Sequence, residues 1–518
     1  MTVETKSKNH EYEEKPLQEK HETKCDYANK SFFGKIRCAF SNITVEPILA
    51  GIVIPSMLAR LAIQNLNLDK ACRVKLQLGD EICDNLIQRK GENLSYYEAD
   101  VQRVITSIES WRSIISTGIP MILVIFMGAW SDRTGNRKLC ILLPIFGEFM
   151  VSLCNILSTN FFYEIPVELT MFLEVIFPAV TGGWVLVLMG VFSYISDITT
   201  DETRTFRVGL VNLCLSAGIP IGTAVSGILL KLLGYYGVFI ISTSIYTLVF
   251  MYGYFYLKDR TKPGVDDTKE MEPFKVSDVI SLTKETAEVA FKERKGNLRM
   301  KVILSLIVVS LIYGPDHGER NLTYMFVRYR LQWDAMKYSM YSTYGIAIHS
   351  LSCLFCISVF SRRWGLHDSM LCLISVASKC AGSIMIAFVQ TDFQMFMVPL
   401  VEILNSTTFT CLRSMASKLV EKEEMGKMNS LFSLVETLAA LVFDPAYSAM
   451  YFATLSAFTG AVFLFSASMT VPAMLLLIWF FWQHRKETRQ KRLELIDGKE
   501  DAIEEIKKGR IPQMAKSV

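Results

Sequence analysis

Residues 128–138 read Gly128-Ala129-Trp130-Ser131-Asp132-Arg133-Thr134-Gly135-Asn136-Arg137-Lys138. This short basic stretch separates two long apolar runs, near 104–127 and 139–158. Gly135 permits a turn that a β-carbon would obstruct. Asp132 is suited to meet a helix N-terminus or a basic residue of a neighbouring helix. Arg137 and Lys138 suit a cytoplasmic membrane surface, where Lys and Arg gather. Two membrane-crossing helices joined by a tight, positively charged turn is therefore the reading.

Similar runs recur outward in both directions. They lie near 43–64, 104–127, 139–158, 170–194, 207–230, 237–257, 301–322, 336–359, 369–389, 393–415, 428–452 and 456–482. Twelve helices of about 21 residues need roughly 250 residues, which suits a chain of 518 that is 51% hydrophobic. Charged residues make up 20%, below the roughly 25% of soluble domains. Such an apolar content excludes a disordered chain. The 54 basic and 51 acidic residues leave a net charge of +3, without the basic bias of a nucleic-acid binder. Twelve cysteines in this length do not make a disulfide scaffold.

Basic residues set the expected orientation. The N-terminal tail carries eight, the segment 258–301 eleven, and the tail from 483 ten, whereas the connections after spans 3, 9 and 11 have none. Both termini are thus expected in the cytoplasm. The loop 65–103 is expected outside. There Asn93-Leu94-Ser95 is a glycosylation acceptor pattern, and Cys72 and Cys83 are placed to pair in an oxidising compartment. The charged segment divides the spans six and six, the plan of transporters built from two related bundles. The expected divisions are an N-terminal tail 1–42, a first bundle 43–257, a linker 258–300, a second bundle 301–482 and a C-terminal tail 483–518.

The stretch 128–138 resembles the signature of the major facilitator superfamily, G-x-x-x-D-(R/K)-x-G-R-(R/K), with Asn136 where Arg is frequent. Further motifs are Ser193-Tyr194-Ile195-Ser196-Asp197 with Arg204-Thr205-Phe206-Arg207, Leu331-Gln332-Trp333-Asp334, Leu412-Arg413-Ser414, and Gly426-Lys427-Met428-Asn429-Ser430 leading to Glu436 and Pro445-Ala446-Tyr447. Together these resemble the solute-carrier branch that includes the proton-coupled folate transporter and its lysosomal and thymic relatives. The resemblance implies an all-α membrane protein of 12 transmembrane helices in two pseudo-symmetric six-helix bundles. It implies a cytoplasmic gate built from Gly128, Asp132, Arg133, Gly135, Arg137, Asp197 and Arg204, and movement of an organic anion with protons. Asp132, Asp197, Arg413 and Glu436 fall on matching motifs. His317 lies where the folate carrier uses a histidine, and Asn212 stands where that carrier has an acid.

Ionisable residues at membrane depth need a reason, because each costs about 2.5–3.5 kcal/mol even on lenient scales. Glu402, Ser406, Thr410 and Arg413 are spaced four, four and three apart, a polar stripe if the helix is continuous. Glu402 then sits near mid-depth and Arg413 about 16 Å away, positioned as counter-charge to a bound anion. Lys379 and Glu402 are equidistant from the turn between spans 9 and 10, so an ion pair between them is expected, with a structural role. Glu148 holds the equivalent place in span 3. His349 and Glu436 are candidates for proton coupling. Gly218-Ile219-Pro220-Ile221-Gly222 suits either a hinge or close helix packing.

The expectation is a secondary transporter of a small organic anion, folate-like or other, coupled to protons and working by alternating access in the plasma or lysosomal membrane. The alternative is a non-transporting receptor or scaffold on the same fold. No enzyme chemistry, cofactor, metal site or nucleic-acid partner is expected.

Overall fold

The computed structural model describes residues 44–89, 94–199, 201–258, 298–356, 359, 367–420 and 425–507. The tail 1–42, nearly all of the linker 258–300 and the acceptor Asn93 lie outside the described residues, as do the side chains of Asp132, Arg133 and Arg204. Val45–Val518 forms one compact unit.

The helices are α1 (Glu46–Lys70), α2 (Asp80–Gln88), α3 (Leu94–Thr134), α4 (Arg137–Asn160), α5 (Val167–Val180), α6 (Gly183–Ile198), α7 (Asp201–Tyr256), α8 (Leu298–Arg330), α9 (Ala335–Cys356), α10 (Asp368–Ala387), α11 (Asp392–Val401), α12 (Thr408–Ser417), α13 (Met425–Thr454) and α14 (Ala461–Lys507). Among the described residues nine helices are long and apolar enough to cross a membrane, or ten if α11 and its continuation form one bent span. The other two crossings have physical explanations. α7 runs 56 residues, about 84 Å at 1.5 Å per residue, far beyond one bilayer. It breaks at Gly234, where φ is 64°, so its two legs are spans 5 and 6. α9 has the length of a crossing, 22 residues, but carries Lys337, His349 and many hydroxyls. α5 and α6 together make span 4, and α14 runs on as helix through Lys507, well past the expected boundary at 482.

The turn at 135 forms as the sequence requires. Gly135 has φ 74°, a left-handed conformation that costs glycine little. The Gly218–Gly222 stretch resolves as packing: α7 stays helical through Pro220, and Gly218 lies against Val53 of α1. At Gly227 a β-carbon would stand 2.8 Å from the Met336 Cα and the Ser339 Cβ of α9. Only glycine permits that approach between the two halves.

Cys72, in a π-turn that extends α1, and Cys83 of α2 are bridged with Cα atoms 5.9 Å apart. Arg73 reinforces the same loop through Asp69 at 2.7 Å, Asp80 at 2.6 Å and Asp84. Closing a loop of sequence separation 11 removes chain entropy worth about 3 kcal/mol. Reduction, or Cys72→Ser with Cys83→Ser, is therefore expected to lower the thermal midpoint. Identical unfolding curves with and without reductant would show that the bridge adds nothing. The bridge marks one end of the molecule, the disulfide end, and the 128–138 turn marks the other, the motif end.

Candidate functional site

At the disulfide end the two halves are fastened by a buried polar network. Arg328 of α8 donates from Nε to Glu98 of α3 at 2.8 Å and from Nη1 to Asn65 of α1 at 2.8 Å. The Tyr324 hydroxyl donates to the same Asn65 at 2.9 Å. Gln102 of α3 donates to the Met325 carbonyl at 2.9 Å and accepts from the Tyr451 hydroxyl of α13 at 2.8 Å. Arg89 adds a second cation to Glu98 at 3.2 Å. Ser339 of α9 donates to the carbonyls of Thr223 and, at 3.3 Å, Ala224 of α7. Glu98, Gln102, Tyr324, Arg328 and Tyr451 are all buried. The hydrogen bonds described between the halves gather at this end, so the structure is a state shut on the disulfide side.

At the motif end Arg137 ties α4 to α6 and α3 within the first half: its Nε lies 2.9 Å from Asp197 and its Nη1 donates to Ser131 at 3.0 Å. Arg207 of α7 meets Glu46 of α1 at 2.8 Å, and Gly128 leaves room for Met189 of α6.

The second half concentrates ionisable groups at membrane depth. Lys379 of α10 reaches Glu319 at 2.7 Å, Glu402 at 3.1 Å and Asp316 at 3.6 Å. Asp316 also pairs with Arg320 at 2.8 Å, and Glu319 accepts from Ser383 at 2.8 Å. Three carboxylates thus share two cations. His349 of α9 is within electrostatic range of Asp316, Arg320 and Lys379. Next to this group, His317 Nδ1 lies 2.8 Å from Asp444 of α13, and its ring stacks on Tyr313 with centroids 5.8 Å apart. On α12, Arg413 contacts Glu436 of α13 at 2.7 Å and lies over the Phe432 ring at 5.2 Å. The Arg413 side chain remains 46% exposed and that of Glu436 only 12%, so the cation is open to an incoming group while its partner is largely covered.

The continuous stripe expected along span 10 does not exist. α11 ends at Val401, a 3-10 turn covers Ile403–Thr407, and the two segments are bent by 40°. Pro399 weakens the helix ladder there. The polar run after it bonds in part locally, with Thr408 donating to the Asn405 carbonyl at 3.0 Å, and in part to neighbouring helices, with Ser406 lying 3.1 Å from Ser352 and Thr407 lying 2.9 Å from Ser375. The break turns Glu402 onto Gly382 of α10, where any larger residue would collide. Glu402 therefore joins Lys379, and Arg413 joins Glu436. Asn212 stands exposed on α7 and joins neither group. Sequence reasoning missed Glu319, Asp444, Glu98 and Arg328. A signal existed for the first: Asp316-His317-Gly318-Glu319-Arg320 puts four ionisable groups inside one span.

Comparison with known proteins follows the same lines. The chain is 22% identical over 447 residues to the "Probable peptidoglycan muropeptide transporter SLC46" of Drosophila melanogaster, covering 84% of this chain and 85% of that one. It is 24% identical over 378 residues to the "Lysosomal proton-coupled steroid conjugate and bile acid symporter SLC46A3" of Gallus gallus, covering 72% and 79%. It is 25% identical over 398 residues to the "Proton-coupled folate transporter" of Rattus norvegicus, covering 75% and 83%. The crystal structure of the human organic anion transporter MFSD10 shares the fold, with a TM-score of 0.54 at 14% identity over 84% of this chain and 98% of that one. The profile described as Major Facilitator Superfamily matches residues 105–444. With the relatives transporters rather than enzymes and more than half its length matched, this chain belongs to the Major Facilitator Superfamily.

Proposed function

We propose that this protein is a symporter that carries a small organic anion together with protons by alternating access. The observation that carries this reading is the Arg413–Glu436 pair, an exposed cation held by a covered carboxylate at 2.7 Å. A substrate carboxylate or sulfate competes with Glu436 for the guanidinium. Protonation of Glu436 releases Arg413, so proton and anion bind together and leave together. The excess of carboxylates around Lys379, with His317 and His349 beside them, gives the proton further places to reside. The relatives' cargoes, folate, steroid conjugates and bile acids, define the compounds to try first. In proteoliposomes with an imposed pH gradient, uptake of such an anion should rise as the outer solution is acidified. Uptake indifferent to the gradient defeats the coupling.

The bridge Cys72–Cys83 supports a topology with the disulfide end in the lumen or outside the cell and with both termini and the linker 258–300 on the cytoplasmic side of a plasma or lysosomal membrane. The two bundles then run 43–257 and 301–482. Asn93 falls on the glycosylated side. Glycosidase treatment should reduce the apparent mass of the expressed protein, and Asn93→Gln should abolish that change. A mass unchanged by the enzyme counts against use of the site.

For alternating access the disulfide-end network must open. Thr223→Cys with Ser339→Cys places two thiols across that closure, at the point where Ser339 bonds the Thr223 carbonyl. Oxidative cross-linking is expected to arrest transport and reduction to restore it. Full transport with the cross-link in place would show that this end does not open.

A further inference from the structure

We propose that the first half holds a separate ion site: the cavity around Glu148 takes one monovalent cation, a proton shared with enclosed water or a sodium ion. Each half contains a small, partly open cavity, and the two occupy corresponding places. One lies among α1, α4 and the second leg of α7, which are spans 1, 3 and 6, and is lined by Ser56, Glu148, Ser152, Asn155 and Tyr246 among others. The other lies among α8, α10 and α14, which are spans 7, 9 and 12, and is lined by Asp316 and Lys379 among others. In the second half the acid is met by a lysine cation. In the first half Glu148 occupies the position that corresponds to Lys379, and among the described residues no side-chain cation accompanies it.

The helices around Glu148 supply no charge to it. The second leg of α7 presents Tyr246, whose hydroxyl donates to Glu148 at a long 3.4 Å, and α1 presents Ser56 to the same space. α6 and its approach present Thr181 beside Gly147. α5 presents Glu174, which is turned to Asn67 at 2.9 Å and Arg112 at 3.8 Å. Among the described residues no Lys, Arg or His lies within ion-pair distance of Glu148. A bare carboxylate at membrane depth is expensive, so it is neutralised by something other than the chain.

A second observation points to what fills the cavity. Asn155 is 1% exposed and lines the same space two turns from Glu148, yet neither its Oδ1 nor its Nδ2 has a hydrogen-bond partner. Buried polar groups are almost always satisfied. Ser152, between them, is already engaged, donating to the Phe239 carbonyl at 3.1 Å and accepting from Thr243 at 2.9 Å. The space of about 40 Å³ has room for a water or a small ion with water. The available donors to an ion are oxygens: the Glu148 carboxylate, the Asn155 amide and the Ser56 and Tyr246 hydroxyls. Such a hard set suits a proton on water or sodium.

The test uses the purified full chain and needs no transported substrate, so its failure is separable from failure of the symport reading. Thermal midpoints are measured in sodium chloride against choline chloride, and from acid to neutral pH, for wild type, Glu148→Gln and Asn155→Leu. Wild type is expected to gain at least about 2 °C from sodium or from acidification, by an increment that Glu148→Gln lacks. A gain from sodium at fixed pH assigns sodium; a gain from acid alone assigns the proton. Asn155→Leu fills the cavity while leaving the carboxylate and is expected to shrink the same increment, which keeps the test available if Glu148→Gln does not fold. Wild type and both variants responding alike to sodium and to acid would overturn the site.

Discussion

Lys379→Met is expected to be among the most damaging single substitutions in this chain. It leaves Asp316, Glu319 and Glu402 facing one another, with their shared cation gone and only Arg320 remaining on Asp316. Removing one partner of a buried ion pair costs about 3–5 kcal/mol, because the charge left behind has lost both its water and its partner. Expression should fall, and the thermal midpoint of whatever folds should drop with it. Acidification should partly restore the variant, since protonated carboxyls no longer need a cation. Adding Glu319→Gln and Glu402→Gln should restore it further by removing two of the orphaned charges. A variant as stable as wild type at neutral pH would mean that water, not Lys379, compensates the carboxylates.

Arg413→Ala is expected to remove the second largest amount of free energy, this time from transport. Truncating one partner of a buried hydrogen-bonded charge pair costs about 2–5 kcal/mol. The 46% exposure of Arg413 puts it at the low end, about 2 kcal/mol, or about thirtyfold in uptake efficiency. Glu436→Gln should act differently. It removes the competitor and the proton acceptor together, so anion binding persists while the acid stimulation of uptake is lost. In wild type, uptake should decline as pH rises, because the ionised Glu436 reclaims Arg413. In Glu436→Gln that decline should flatten. Uptake by Arg413→Ala equal to wild type, or an unchanged pH profile in Glu436→Gln, would remove this pair from the mechanism.

The crossings were legible because their signal is additive: about twenty apolar residues mark a span whatever surrounds them. The turn at Gly135 was legible for a local reason, since only its own backbone decides the left-handed conformation. The pairing of Lys379 with Glu402 could be anticipated from equal distances to one turn. The break after Val401 could not be placed from periodicity, because it arises from Pro399 acting with short polar side chains that bond partly to their own backbone, as Thr408 does, and partly to neighbouring helices, as Ser406 and Thr407 do. That break separates Glu402 from Arg413 and explains why the expected stripe became two sites. The fastening of Glu98 to Arg328 was hidden for a different reason. These residues are 230 apart and sit at span edges, where a single charge looks like ordinary snorkelling. Sequence shows which groups are costly to bury, whereas the fold decides which neighbour compensates them.

The polar fastening of the disulfide end also has a pharmacological consequence. A compound approaching from the disulfide side meets a binding-competent conformer only in the fraction of molecules whose network has come apart. Its measured dissociation constant is inflated by the reciprocal of that fraction. Inhibitors applied from that face should therefore gain apparent affinity when the network is weakened, even where their contacts with Arg413 are unchanged.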